Sequence, residues 1–255
     1  DRFGTGHMGI AAENLAAKHG FPREEQDAFS LESHRRAAAA LAAGHFKSQI
    51  LPIELKSKKG PVMFDTDEHP RSDASMEGMA KLKPAFAKEN GSVTAGNASG
   101  INDAAAAVVL MEKSAAAAKG LKPMARLVSY GHAGIDPKIM GLGPVTAVKN
   151  ALAKAGLKVS DIDVFESNEA FAVQVIAFLD HYGIADDERV NPWGGAIAVG
   201  PPLASSGVRL MTQLAHHFEE NPQVRYGLVA MCIGIGMGGC VIWENPNHAD
   251  YGKEN

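Results

Sequence analysis

The chain has 255 residues, 45% of them hydrophobic and 6% aromatic, and a formal net charge of −4. That is enough apolar chain to bury a sizeable core in one or two domains. The mild acidity gives no electrostatic ground for binding nucleic acid or an anionic membrane, and no apolar run approaches the roughly 20 residues of a membrane span.

Helical periodicity is predicted over 8–19 and 22–43, the second helix with Pro22 at its start, Glu24 and Glu25 in its first turn and Gly44 just beyond its end. Residues 48–56 and 61–64 read as short strands, with Pro52 placing the first at an edge or bulge. Residues 65–91 are polar and irregular, an expected surface loop. Ser92–Asp103 is turn-rich; the AAAAVVLM run after it is expected to be a buried strand or strand-like run, followed by a short helix in KSAAAAKG. A second block then alternates strand 125–129, helix 145–155 closed by Gly156, strand 162–166 and helix 169–182 closed by Gly183. A glycine-rich loop, helix 207–219 and strands 226–232 and 239–243 complete it. Helices alternating with apolar strands predict an α/β layered fold. Residues 246–255 are expected to be a polar, frayed tail. The start carries no secretory signal, and Asp1 in place of Met reads as a processed product or a piece of a longer polypeptide.

The chemistry-bearing residues gather near the C-terminus. Gly234-Ile-Gly-Met-Gly-Gly239 satisfies GxGxxG, but an apolar strand follows it where a dinucleotide site needs a helix and an acidic residue about 20 positions on. Its glycines suit a tight strand turn that offers backbone N–H groups to a ligand oxygen. Cys232, at the start of that turn, is either a buried core thiol or a proton-transferring or nucleophilic one. Cys240 sits in a plain strand context, and the two thiols match neither a disulfide framework nor a zinc spacing. Asn168 lies where a strand passes into a helix, so it is either a helix N-cap or a group that holds a water against a developing oxyanion.

Taken in order, His7-Met-Gly9, Leu82-Lys-Pro-Ala-Phe86, Thr94-Ala-Gly-Asn-Ala-Ser99-Gly-Ile-Asn-Asp103, Met140-Gly-Leu-Gly-Pro144, Asn168-Glu-Ala-Phe171, Gly194-Gly-Ala-Ile-Ala-Val-Gly200 and Cys232-Ile-Gly-Ile-Gly-Met-Gly238 resemble the segments of a thiolase (acetyl-CoA acetyltransferase or 3-oxoacyl-CoA thiolase). The resemblance covers residues 1–245. It implies a layered α/β/α/β/α fold of two similar halves, incomplete here at the N-terminus. Residues 1–101 would be part of the loop domain that covers CoA, 102–122 the last strand and helix of the N-terminal half, and 123–245 the C-terminal half, with 246–255 left as the tail. The reaction implied is reversible acyl transfer between CoA thioesters through an acylated cysteine. Cys232 would be the acid/base that takes the α-proton, its thiol titrating near working pH. Asn168 would hold the oxyanion-hole water and Gly234 would donate a backbone N–H. His7, Met8, Phe86, Ala95, Ala98, Ser99, Met140, Ala170 and Phe171 would line the pantetheine channel, with the Ser99 hydroxyl offered to an amide. Arg71 is either a contact for the CoA phosphates or an ordinary surface arginine. CoA thioesters are then substrates; no cofactor or metal is implied. With no membrane span or leader and two lone cysteines, a cytosolic protein is expected; the resemblance points to a homo-oligomer, or to assembly with a chain that supplies the remaining portion.

Three positions depart from the family. Neither cysteine matches the family's nucleophile. Pro201 stands where thiolases carry the histidine of Gly-His-Pro, which activates that nucleophile and donates to an oxyanion hole; proline has no titratable group and no N–H. Losing one such donor typically lowers the rate by about 10²–10³. Trp193 replaces a small polar residue and is expected to crowd the pocket, whereas Ala204 for glycine is mild. Without the neighbours of 102–122, unpaired strand edges and exposed apolar faces are expected, and with them aggregation unless another chain covers them.

Overall fold

A computed structural model describes residues 4, 6–185 and 188–253; Asp1 lies outside them. The elements in chain order are α1 (Met8–His19), α2 (Arg23–Ala43), β1 (Ile53–Leu55), β2 (Val62–Phe64), α3 (Met76–Ala80), α4 (Lys113–Ala118), β3 (Arg126–Gly134), α5 (Gly143–Ala155), β4 (Val164–Ser167), α6 (Ala172–Tyr182), α7 (Ala196–Val199), α8 (Ser206–Glu220), β5 (Tyr226–Ile233) and β6 (Met237–Glu244). Helix ends fall where the punctuation predicts. Gly20 and Gly44 close α1 and α2 in the left-handed region at φ 73° and 82°.

The organising element is a four-stranded sheet in the order β3-β6-β5-β4. β3 and β5 run antiparallel to β6, and β4 runs parallel to β5. Its two faces sort by strand alternation. Phe165, Leu228, Ala230, Cys240 and Ile242 pack against Ala147, Val148 and Ala151 of α5 and Val175 and Phe178 of α6. Val164, Val229 and Trp243 pack on the other face against Leu210, Leu214 and Phe218 of α8. The valines, leucines, isoleucine and phenylalanines among them each contribute about 1.5–3 kcal/mol when buried. These are three of the five layers implied by the family resemblance; among the described residues the only other sheet is the β1–β2 hairpin.

Four sequence expectations are corrected. The AAAAVVLM run forms no strand and is not buried: residues 101–112 adopt no regular secondary structure, with Val109 87% and Leu110 73% exposed. A strand exists only as a hydrogen-bonded pair, and no backbone edge lies beside this segment among the described residues. The strand expected over 48–56 shrinks to β1, because only Ile53–Leu55 find a partner in β2. The loop 65–91 contains α3, capped by Ser75, whose hydroxyl accepts from the Gly78 N–H. Of the tail, residues 246–253 are docked rather than frayed, and 254–255 lie outside the described residues. The Asn245 amide donates to the carbonyls of Phe218, Asn221 and Val224, and Arg225 donates to the Lys253 carbonyl. Glu244, fully buried, pairs with Arg126 and Arg225 and accepts from the Gly252 N–H.

β5 and β6 are joined by Gly234-Ile235-Gly236, and Ile235 sits at φ 64°. A β-branched residue there is strained by roughly 1–2 kcal/mol. With its side chain 40% exposed, little packing would be lost on replacement. Ile235→Asn is expected to stabilise the chain by about 1 kcal/mol, which thermal unfolding would register as a Tm higher by about 2–4 °C.

Candidate active site

The parallel register of β4 on β5 ends with Ser167 opposite Ala230, and the Asn168 N–H continues the ladder by donating to the Ala230 carbonyl at 2.8 Å. Asn168 and Cys232 therefore emerge at the same edge of the sheet. Cys232 then packs in a cluster with Met140, Phe171, Phe86, Ala98 and Ala170, closed by Ala11, Ala12 and Leu15 of α1. Six residues nominated from distant parts of the sequence thus meet in one place.

The remaining nominees divide. His7 stacks on Phe86 with ring centroids 4.7 Å apart, and its Nδ1 caps α1 by accepting the Gly9 N–H. That bond leaves Nε2 to carry the proton of the neutral ring. Met8 covers the turn: its sulfur lies 3.5 Å from where a Cβ on Gly234 would stand. Ser99 is bound to Ala170, both its N–H and its hydroxyl donating to the Ala170 carbonyl at 3.0 and 3.1 Å. Its proton is therefore committed, and toward an amide it keeps only acceptor capacity. Ala95 is exposed and lies outside the cluster. Arg71 is also exposed and outside it; its charge lies near His34.

The loop that carries Ala98 is held by carboxylates. Glu13 accepts from the N–H groups of Ser92 and Val93 and from the Ser92 hydroxyl. Asp27, paired with Arg23, accepts from the Asn97 amide, and the Asn97 carbonyl accepts the Ala172 N–H that opens α6.

Asn168 is not a helix cap. The N-cap of α6 is Phe171, with no side-chain cap bond. The Asn168 side chain is buried and its Oδ1 has no partner. An unpaired buried carbonyl oxygen is costly to maintain without a water or ligand, and this one lies beside the Cys232 edge. Cys232 itself is 9% exposed, and burial pushes its thiol up to about 12, well above the near-neutral titration that proton transfer requires. Among the described residues, no cation stands against it to stabilise a thiolate. Burial likewise pushes the Cys240 thiol up.

The glycine loop passes over this edge. Pro201 is buried in it, and the next carbonyl, of Pro202, accepts the N–H groups of Ser205 and Ser206 at the start of α8. Trp193 does not crowd the site. Its indole turns into a separate cluster with Ala40 and Phe46 and stacks on His45 at 4.6 Å. His45 in turn pairs with Glu220. The end of α2 offers an apolar slot there, so burial draws the ring outward.

Sequence reasoning passed over two buried carboxylates. Glu169 is 1% exposed and accepts from Ser33, Asn191 and the Ile197 N–H. Glu166, on the α8 face of β4, takes both amide hydrogen bonds of Gln213. The available signal was a pair of acidic residues inside an apolar strand-to-helix run, where burial demands partners.

Two family models match the sequence: the thiolase N-terminal domain over residues 1–114 and the thiolase C-terminal domain over 121–245. The chain therefore belongs to the thiolase family. It is 57% identical to the beta-ketothiolase BktB of Cupriavidus necator, over 96% of this chain and 61% of that protein. It is 54% identical to an acetyl-CoA acetyltransferase of Syntrophomonas wolfei, over 96% and 61%. Among solved structures it resembles the acetyl-CoA acetyltransferase of Bacillus anthracis with a TM-score of 0.89 at 44% identity, over 93% of this chain and 59% of that one. It also resembles human mitochondrial 3-ketoacyl-CoA thiolase, with a TM-score of 0.86 at 42% identity, over 93% and 60%. The chain spans about three-fifths of the length of these relatives. Among the described residues, no helix is long and apolar enough to cross a membrane.

Two outcomes follow. Iodoacetamide at pH 8 is expected to label Cys232 at least about 100-fold more slowly than a free peptide thiol, followed by peptide mass spectrometry; rapid labelling would contradict its burial. Burial raises Glu166 from its ordinary 4.5 to about 8, so the fold favours its protonated form. Its contribution to stability is complete below the unfolded value of 4.5 and declines as pH rises through about 8. Glu166→Gln should match the wild type near pH 4.5 and exceed it by about 1–3 kcal/mol above pH 8, measured as denaturation midpoints across that range.

Proposed function

We propose that the chain supplies the substrate-holding and α-proton-transferring part of a thiolase-type acyltransferase, which condenses acyl-CoA or thiolyses 3-oxoacyl-CoA. The observation that carries this reading is the convergence of Asn168, Cys232, Met140, Phe171, Phe86 and Ala98 on one edge of the sheet. Small and apolar side chains of this kind suit the wall of a channel for a thin pantetheine arm. His7 and Met8 stand at its exposed rim, and Arg71 is a solvent-facing cation for the CoA phosphates. Asn168 holds the oxyanion water through its unpartnered Oδ1, Gly234 donates its backbone N–H, and Cys232 exchanges the α-proton once a bound thioester changes its surroundings. Assembly as a homo-oligomer and residence in the cytoplasm belong to the same proposal.

A second reading is favoured by Pro201: a thiolase-like subunit that holds CoA or acyl-CoA without acyl transfer. Buried proline offers neither a base nor a donor, and the family's nucleophile matches neither Cys232 nor Cys240.

Isothermal titration of CoA and acetyl-CoA into the chain and into Pro201→His separates the readings. Both proteins are expected to bind, and residues 1–255 alone to show no thiolysis of acetoacetyl-CoA. In a polypeptide that also supplies the nucleophilic cysteine, Pro201→His should raise kcat by about 10²–10³. Binding with no turnover even there would establish the non-catalytic reading, and absence of binding would sink both.

A further inference from the structure

Glu169 stands immediately after Asn168, yet it faces away from the cluster around Cys232 and into the seam between three segments of chain. Its Oε2 accepts the Ser33 hydroxyl of α2 at 2.6 Å and the Ile197 N–H of α7 at 3.1 Å. Its Oε1 accepts the Asn191 amide at 2.8 Å. Both side-chain donors are themselves engaged. The Ser33 oxygen accepts the Gly195 N–H at 3.0 Å. Asn191, held at φ 45°, clasps the end of β4 by accepting the Ser167 N–H and donating to the Ser167 carbonyl.

The backbone is shaped around this carboxylate. A Cβ on Gly195 would lie 2.1 Å from the Glu169 carboxyl carbon, and one on Gly194 would lie 2.6 Å from the Ser33 carbonyl oxygen. Only a chain without side chains passes there. Burial pushes the Glu169 carboxyl up, and the three donors around it pull the other way, so losing any one of these buried bonds is costly. The turn before the glycine loop, the first turn of α7 and the loop-side helix α2 therefore share one anchor, one residue along the chain from Asn168.

We propose that Glu169 is the positioning residue of the site, the group that sets the glycine loop 193–201 against Asn168 and couples the place of that loop to helix α2. The role rests on the acyltransferase reading only for its consequence in catalysis; the coupling is a property of the fold and is measured without substrate. Glu169→Gln keeps the shape but turns one acceptor into a donor, which must face a donor from Ser33, Asn191 or Ile197. Ser33→Ala removes one arm of the same tie and leaves the carboxylate in place.

The test uses the full chain carrying Trp243→Phe, so that Trp193, inside the loop, is the single tryptophan. At a fixed pH and well below the unfolding temperature, Glu169→Gln is expected to red-shift Trp193 emission. It should also speed amide exchange at Gly195 and Ile197 by about 10–100-fold, with the β5 and β6 amides unchanged. Ser33→Ala should move both readouts in the same direction by less, and adding it to Glu169→Gln should add little. A lower Tm in either variant with native-state emission and local exchange unchanged would reduce Glu169 to a structural residue and overturn the proposal. Should Glu169→Gln fail to fold, Ser33→Ala carries the test by itself: no local change on loss of that arm rejects the coupling. Titration of CoA on the same variants then isolates the other reading. Binding absent from the parent chain rejects the acyltransferase proposal while leaving the loop measurements intact.

Discussion

The site depends on how β4 lies beside β5. The pairing is parallel, so both strands finish at the same edge, and the ladder runs one residue past β4 through the Asn168 N–H to the Ala230 carbonyl. Because side chains alternate along a strand, the register also assigns faces. Phe165 goes to the α5–α6 core and Glu166 toward α8. On β5, Leu228 and Ala230 fix the face that Cys232 continues. A slip of one residue would exchange every one of these assignments. The antiparallel partner β6 then returns through a three-residue turn, opposing Cys232 to Gly238, a place where no side chain competes with the thiol for room.

Around that frame, polar contacts do what apolar packing cannot. The inner side of α2 carries buried Gln26, Asp27, Ser30, Ser33 and His34, an unusual face for a packed helix. Asp27 reaches the Asn97 loop and Ser33 reaches Glu169, so the helix is fixed by direction-specific bonds to the two loops that border the site. Breaking such a contact leaves a buried partner unsatisfied, at about 1–3 kcal/mol. Trp193 adds an apolar counterpart on the far side of the glycine loop, where the indole is gripped by His45 and Phe46.

The departures from the family have different physical weight. Trp193 is accommodated because a hydrophobic slot was available beside it. Pro201 fits the buried loop as a shape but removes a proton carrier and a donor together. Cys232 lies at the end of β5 near Asn168, yet its enclosure by α1 and Phe171 raises the energy of the thiolate. Position and chemical readiness are separate properties, and only position follows from matching a motif.

Helix ends were legible in the residues themselves. Gly20, Gly44, Gly156 and Gly183 each adopt the left-handed conformation that ends a helix, and α1 spans the predicted 8–19. The apolar runs of β4, β5 and β6 were legible for the same local reason, and the motif pattern brought with it the fold class and the six nominated residues that meet in the Cys232 cluster. The AAAAVVLM run read as a strand because its composition is that of one; pairing needs a neighbour, and composition does not supply it. The tail after Glu244 read as frayed because it is polar, yet the bonds of Asn245 and Arg225 hold it. Ala95 carries a motif letter and Arg71 a candidate charge, but both lie outside the cluster, since adjacency in sequence does not set the side to which a residue turns. The sequence by itself determined the local states and the residue types of the site, through backbone preference and hydrophobic period. Only the tertiary structure decided that Glu169 is an anchor, that Asn168 is unpaired rather than a cap, and that the Cys232 thiol is raised. Hydrogen-bond partners and burial belong to pairs of residues brought together from distant parts of the chain.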